Sequence, residues 1–234
     1  LVTGCLNNKH QIQISWTMYA GDYNGFLVKN VKGAEPGGWI SNVPNEDWFN
    51  SDGNTNIAKY QAATLAPYVG NNINIYRCPG DYIPSANGVR LRSISMNSQV
   101  GNPQSNSYND NPTYNMYERE SDFRSDMVNI WVFADEAMFT INDGWLEMSL
   151  TAETFPDVPA NYHGGTCGFS FADGHAENHK WTGKYVKDAV NPKGILGVVY
   201  AQGSARAGAY ITPVASLNDA DWKWLQQHTA TLIQ

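Results

Sequence analysis

The sequence predicts an α+β fold in which the helices lie on one side of an antiparallel sheet. Three observations lead to this prediction: an amphipathic segment near the start of the chain, several later segments typical of strands, and an Asp-Gly pair between two alternating runs. The 234 residues are enough to bury a sizeable core, and neither a repeat nor a low-complexity tract divides them. We therefore expect one domain spanning residues 1–234.

The first predicted element is a helix over residues 6–20. Apolar and aromatic side chains recur at the helical period and form one stripe, which consists of Cys5, Ile12, Trp16, Tyr19 and Tyr23. Lys9 and Gln13 are expected to lie away from this stripe. Gly21 begins a run of turn residues and should end the helix.

The later segments alternate between strand and turn patterns. They predict a second short helix over residues 57–69, a strand over residues 89–100, a buried strand over residues 128–134 and a hairpin over residues 138–150. Ser216 is a candidate N-cap for a last helix, with Asp219 in its first turn and with Trp222 and Leu225 facing inward.

A second hairpin is predicted over residues 167–181, with Asp173 and Gly174 as a two-residue turn. This register places Phe171 opposite Ala176 and Phe169 opposite Asn178. The core face would carry Cys167, Phe169, Phe171 and Ala176. The other face would carry Ser170, His175, Glu177, His179 and Trp181.

The polar face of this hairpin is the first candidate site. His175, Glu177 and His179 present imidazole and carboxylate groups at alternating strand positions, so they could bind zinc if His163 or Asp173 turned inward. The alternative is a solvated polar surface. We expect His163 to bond to the hairpin turn, and Asp173 to bond to its own backbone.

Two further sets of acidic residues are candidates for catalysis or for calcium. Asp135 and Glu136 end the buried strand, but successive strand residues point to opposite faces, so we expect the pair to meet backbone donors. Residues 52–56 have the first three oxygen ligands of a calcium loop, but Ala63 stands where the bidentate glutamate belongs.

Charge and cysteine usage exclude some functions. With a formal net charge of -7, the chain offers no basic footprint for a phosphate backbone, so nucleic acid is not an expected partner. No apolar run is long enough to cross a bilayer. The three cysteines match no paired zinc spacing, which leaves either one disulfide with a buried thiol or three buried thiols.

Several short blocks resemble a known family, and they occur in the same order along the chain. They are Cys5-Leu-Asn-Asn8, Leu65-Ala-Pro-Tyr-Val69, Arg77-Cys-Pro-Gly-Asp81, Ser95-Met-Asn97 and Phe133-Ala-Asp-Glu136. His163, nine intervening residues and then Asp173-Gly174 are similar to the prepilin-type processing-associated His-x9-Asp-Gly domain of type II secretion pseudopilin-like proteins. Two positions differ from the family, since Lys9 stands at an expected leucine and Gln13 at a usual small residue. The resemblance covers residues 1–183 as a core, while residues 184–234 are an extension that we expect to pack on it.

The resemblance implies a pilin-like layout and a non-catalytic structural subunit of a type II secretion or type IV pilus-like fibre. An upstream helix, missing here, would anchor it on the extracytoplasmic side of the inner membrane, and this helix alone would contact the membrane. Its partners would be other pseudopilin-like subunits and inner-membrane components of the secretion system. No cofactor would be required, although calcium in a loop is possible. The resemblance also implies a disulfide between Cys5 and Cys78, with Cys167 left as a buried thiol.

Two other functions remain open on the sequence. Eight tryptophans and thirteen tyrosines could form a stacking platform for sugars, as in an extracytoplasmic carbohydrate-binding module, or they could simply anchor the core and the loops. A metal-dependent hydrolase would have to use His175, Glu177 and His179, because the chain has no nucleophile elbow, no zinc-protease helix motif and no phosphate-binding glycine loop.

Overall fold

The computed structural model describes residues 2–30, 37–40, 52–82, 84–102, 111–153, 155–183, 186–187 and 219–233. Its α-helices are α1 (Val2–Asp22), α2 (Ile57–Gln61) and α3 (Ala220–Thr229), and 3-10 turns cover Asp52–Asn54, Ile73–Tyr76 and Glu120–Phe123. Its strands are β1 (Ile94–Asn97), β2 (Trp131–Asp135), β3 (Trp145–Leu146), β4 (Thr166–Phe171) and β5 (Ala176–Lys180). Among these described residues, no helix is both long enough and apolar enough to cross a bilayer.

The five strands form one mixed sheet in the order β3-β1-β2-β4-β5. The predicted α+β class is therefore confirmed, but the sheet is not purely antiparallel, because β3 runs parallel to β1 with Trp145 beside Met96. The hairpin predicted over residues 138–150 is wrong for the same reason. Trp145 is held in place from outside that segment, since its indole N–H donates to the carbonyl oxygen of Asn30 at 2.9 Å.

The other predicted elements are present but shorter than the patterns suggested. The helix predicted over residues 57–69 continues only to Gln61 before turns take over. The strand predicted over residues 89–100 is reduced to β1, and the buried strand of residues 128–134 is found as β2 with every residue buried.

Helix α1 confirms the first prediction and corrects one part of it. Ile12 and Trp16 are completely buried as expected, but Lys9 and Gln13 are completely buried too. A polar group can be buried at low cost when it has a partner, and both side chains have one on the sheet. Lys9 pairs with Asp135, and Gln13 accepts a hydrogen bond from the Ser170 hydroxyl at 2.9 Å.

The two faces of β4 contact different helices. Ser170 bonds to α1, and Gly168 lies so close to α1 that a Cβ there would be 3.3 Å from the Lys9 side chain. Phe169 points the other way and packs edge to face on Trp224 of α3, with ring centroids 5.0 Å apart. The prediction that the helices share one side of the sheet is therefore wrong, because α1 and α3 cover opposite faces.

The second hairpin is present, but its register differs from the prediction by one residue. Phe169 lies opposite Glu177, not opposite Asn178. The Phe171 N–H donates to the carbonyl oxygen of His175 at 2.9 Å, so residues 172–174 form a three-residue loop.

The backbone of the turn explains this shift. A two-residue turn of the predicted type needs two positive φ angles, whereas here Gly174 has φ +99° and Asp173 is not among the residues with positive φ. Asp173 Oδ1 accepts a hydrogen bond from the His175 N–H at 3.1 Å, which confirms the expected bond to its own backbone. Because side chains alternate along a strand, a shift of one residue moves those of β5 to the opposite face.

The described end of the extension packs on the core through α3. Asp219 caps this helix by accepting from the N–H groups of Asp221 and Trp222, so the cap is not Ser216, which lies outside the described residues. Leu225 is completely buried, and the Thr229 hydroxyl accepts from the indole N–H of Trp131 at 2.9 Å.

Candidate functional site

Three side chains from distant parts of the chain meet at the start of α1. Cys5 lies on α1, Cys78 follows the 3-10 turn Ile73–Tyr76, and His163 precedes β4. One ligand atom from each lies within 4.8 Å of the other two, and Cys78 Sγ is 3.0 Å from His163 Nε2. We refer to Cys5, Cys78 and His163 as the Cys-His cluster.

Backbone hydrogen bonds position Cys78. Its own N–H donates to the Ser93 hydroxyl at 2.7 Å, and the Gly80 N–H donates to Cys78 Sγ at 3.3 Å. The same turn is fixed at its end by Asp81, which forms a buried ion pair with Arg90.

His163 reaches the cluster through a glycine-rich turn. Gly164 and Gly165 follow it with φ angles of +65° and +94°, which glycine adopts without strain. Gly80 leaves room for the ring, because a Cβ there would lie 2.8 Å from His163 Cε1.

The predicted bond between His163 and the hairpin turn is wrong. Strand β4 (Thr166–Phe171) lies between them, and six residues of strand span about 20 Å. The nine residues between His163 and Asp173 therefore separate the two side chains and place them at opposite ends of one strand.

A buried ion pair lies beside the cluster. Lys9 Nζ is 2.5 Å from Asp135 Oδ2 and 3.0 Å from Cys5 Sγ, and the Cys5 thiol donates to the same carboxylate oxygen at 2.9 Å. Asp135 thus meets side-chain donors, not the backbone donors that we predicted. Burial by itself lowers the pKa of Lys9, but the Asp135 carboxylate and the neighbouring sulfur atoms raise it overall, so Lys9 is charged.

The Cys78 thiol is not set up as a nucleophile. A hydrogen bond with Cys5, burial and the nearby Asp135 charge raise the pKa of Cys78 far above its usual value. Burial lowers the pKa of His163, so its imidazole is neutral at neutral pH. A catalytic cysteine needs a stabilised thiolate, whereas here the protonated thiol is favoured.

All three cysteines are buried free thiols in this structure. The sulfur atoms of Cys5 and Cys78 lie within 4.8 Å of each other, so the residues that the resemblance would join are neighbours, while the disulfide itself stays a prediction. Cys167 is also buried, and its thiol donates to the Asp135 carbonyl oxygen at 3.4 Å.

The candidate metal ligands of the hairpin do not converge. His175 stacks on Phe171 with ring centroids 4.3 Å apart, and His179 stacks on Trp224 at 3.8 Å. Glu177 between them is exposed. In the part of the chain that the structure describes, the one group with metal-ligand spacing is the Cys-His cluster. The structure does not bring the three predicted hairpin ligands together, and metal binding there stays a prediction.

The other acidic candidates are engaged by their own neighbours. Asp52 is exposed and accepts from Asn56 at 3.0 Å and from Lys59 at 3.1 Å. Glu136 is completely buried and accepts from the Ser95 hydroxyl at 2.5 Å, so it does not share a site with Asp135. Calcium binding stays a prediction.

The tryptophans that the structure describes are buried in the core or pack against it. Trp16, Trp39, Trp131 and Trp181 are completely buried. Among the described residues the exposed aromatic rings are those of Tyr23, Phe26 and Tyr82, which include no tryptophan. The described tryptophans therefore pack in or against the core, and carbohydrate binding stays a prediction.

Sequence reasoning missed the Cys-His cluster as a unit. The predicted proximity of Cys5 and Cys78 was the one available signal, and nothing in the spacing of His163 connects it to them. The chain matches no model of a known protein family, no curated protein and no solved structure.

Proposed function

We propose that the chain is the head of a pilin-like, non-catalytic subunit of a type II secretion or type IV pilus-like fibre. In this proposal an apolar helix upstream of α1 anchors the subunit in the inner membrane, and the head lies on the extracytoplasmic side. The observation that carries the proposal is the position of α1, which is fixed to the sheet along one side and presents apolar side chains on the other.

The buried side of α1 supports a mechanical role. Trp16 and Ile12 are completely buried against the core, and the Lys9–Asp135 ion pair joins the helix to the end of β2. Removing one partner of a buried ion pair strongly destabilises the folded protein, because the other charge is left buried and unpaired. Separating the helix from the sheet therefore has a high cost in free energy. A force applied through the helix would therefore reach the whole head.

The outer side of α1 supports assembly. Val2, Ile14 and Met18 are 39%, 44% and 53% exposed. Ile14 and Met18 are one helical turn apart, so they form a contiguous apolar surface. In the proposed fibre this surface packs against a neighbouring pseudopilin-like subunit or an inner-membrane component of the secretion system.

A fibre assay in cells tests the proposal. The natural full-length coding sequence is expressed with Ile14→Glu and Met18→Glu together, and the sheared surface fraction and the membrane fraction are compared with those of the unmodified protein. We expect the double variant to remain in the membrane fraction and to be lost from fibres, because charged side chains cannot be buried in a subunit contact without a partner.

The control is Val128→Glu, which changes a side chain that is 52% exposed and belongs to the turn before β2, not to α1. It should assemble normally. The proposal is wrong if the full-length protein does not fractionate with membranes, or if the Ile14 and Met18 variant assembles as well as the control.

A further inference from the structure

The Cys-His cluster has the donor atoms and the spacing of a zinc site. We propose that Cys5, Cys78 and His163 bind one zinc ion, which pins the start of α1 to the loop of Cys78 and to the segment before β4. Zinc binds thiolates at about 2.3 Å and imidazole nitrogen at about 2.0 Å, so tetrahedral ligand atoms stand about 3.5–3.8 Å apart. The three ligand atoms here, all within 4.8 Å of one another, need only small side-chain movements to reach that arrangement.

Hydrogen-bond donors for both sulfur atoms are already in place. Lys9 Nζ lies 3.0 Å from Cys5 Sγ, and the Gly80 N–H donates to Cys78 Sγ at 3.3 Å. Groups that orient the ligands and bond to them are a regular part of metal sites and tune the affinity. The cluster therefore has the three ligands and one N–H donor at each sulfur atom, and zinc has to displace both thiol protons, including the one that Cys5 donates to Asp135.

The charge of the buried site does not change when zinc binds. The two thiols each release a proton to solvent, and one Zn²⁺ with two thiolates and a neutral imidazole carries no net charge. Lys9 and Asp135 already neutralise each other beside the cluster. Because an uncompensated buried charge is costly, this balance removes the main electrostatic obstacle to metal binding.

The cluster lies beside a surface groove, and one of its three ligands is partly exposed. Cys78 lines a surface groove of about 440 Å³, whose wall includes Asn8, Arg77 and Leu91. His163 is the partly exposed ligand of the three. A zinc ion can enter along the groove, and a water molecule completes its coordination.

The disulfide implied by the resemblance uses the same two sulfur atoms and excludes zinc. The zinc proposal does not depend on the proposed fibre function, because zinc would bind the Cys-His cluster and assembly would use the exposed side of α1. The two proposals can therefore fail separately.

Metal titration of the reduced, metal-free protein tests the proposal. Zinc is measured by competition with a chromogenic chelator, and cobalt is used as a spectroscopic substitute. We expect one zinc per chain, and a thiolate-to-cobalt charge-transfer band together with the visible bands of tetrahedral cobalt. His163→Gln should weaken zinc binding by more than about 100-fold, the upper effect for outer-shell groups, whereas His175→Gln should not change it.

A cysteine pair gives a second matched comparison. Cys78→Ser should lose the metal, and Cys167→Ser, which changes the buried thiol outside the cluster, should keep it. Circular dichroism first establishes that each variant is folded; if Cys78→Ser is not, the comparison between the two histidine variants decides. The proposal is overturned if the chelator retains all the zinc, if His163→Gln binds as tightly as His175→Gln, or if the protein isolated from its own cells carries a Cys5–Cys78 disulfide.

Discussion

Lys9 Nζ lies 2.5 Å from Asp135 Oδ2, in an ion pair whose side chains are 0% and 1% exposed. The pair joins α1 to the end of β2 and lies beside the thiol of Cys5. It explains how a lysine can occupy the buried side of a helix at a position where a leucine was expected.

Lys9→Met should destabilise the protein by about 3–5 kcal/mol, because Asp135 is then left as a buried charge without its cation. Lys59→Met is the matched control, since Lys59 pairs with Asp52 at the surface, where solvent screens an ion pair and it contributes little to stability. Urea unfolding measures both differences. Combining Lys9→Met with Asp135→Asn should recover most of the loss, and equal effects at Lys9 and Lys59 would contradict the assignment.

Glu136 should make stability depend on pH. Burial raises its pKa to about 8, although Arg92 and Ser95 oppose this shift. The folded protein therefore keeps a proton that the unfolded chain releases above about pH 4.5. The stabilisation is fully present below about pH 4.5 and is lost as the pH rises through about 8.

Glu136→Gln imitates the protonated form. Between pH 5 and 8 the free energy of unfolding of the unmodified protein should fall by up to about 1.4 kcal/mol per pH unit, and the variant should lack this slope. It should also be more stable than the unmodified protein at pH 8. Glu177→Gln changes an exposed glutamate and serves as the control. Urea unfolding at several pH values provides the comparison, and an unchanged slope in Glu136→Gln would refute the prediction.

Gly174→Ala should destabilise the hairpin by about 1–2 kcal/mol, because alanine at φ +99° is strained even though nothing within 4 Å would touch the new methyl group. Gly21→Ala should instead stabilise the protein by up to about 1 kcal/mol, since Gly21 lies in α1 with a negative φ and open space around it. Thermal unfolding of the two variants should therefore shift in opposite directions. Shifts of the same sign would contradict the positive φ of Gly174.

Trp224→Ala should release α3 from the sheet. The indole lies between the rings of His179 and His228, with centroids 3.8 and 4.3 Å away, and it also packs on Phe169. We expect a loss of about 3 kcal/mol, the lower end of the range for truncating a large aromatic side chain.

Amide hydrogen exchange locates the effect of this truncation. The amides of α3 should exchange faster in Trp224→Ala, while those of α1 remain protected. Gln227→Ala, on the exposed side of α3, should leave both helices unchanged. Equal acceleration in α1 and α3 would show that α3 does not open separately.

Local patterns predicted the elements whose burial follows a simple period. The stripe through Ile12 and Trp16 located α1, and the continuous apolar run ending at Asp135 located β2. Patterns failed where a polar residue is buried through a distant partner. Gln13 looked like a surface residue because its partner Ser170 lies far along the chain.

Local sequence patterns could not predict the register of the β4–β5 hairpin or the order of the strands, for a related reason. The turn at Gly174 was identified, but a two-residue and a three-residue loop have similar sequences. The observed register places His179 on the face where it stacks on Trp224 of α3, a contact that the local sequence does not encode. Trp145 pairs in parallel with Met96 and also donates a hydrogen bond to the carbonyl oxygen of Asn30, two distant contacts that no local pattern encodes.

The sequence by itself determined the α+β class, the first helix, the central strand and the location of the final hairpin, because these depend on periodicity and on the backbone preferences of a few residues. The tertiary structure alone decided which side chains meet, including the Cys-His cluster and the Lys9–Asp135 pair. The physical reason is that burying a polar or charged group is costly unless it has a hydrogen-bond or ion-pair partner. The packing of α1 on the sheet brings these partners together.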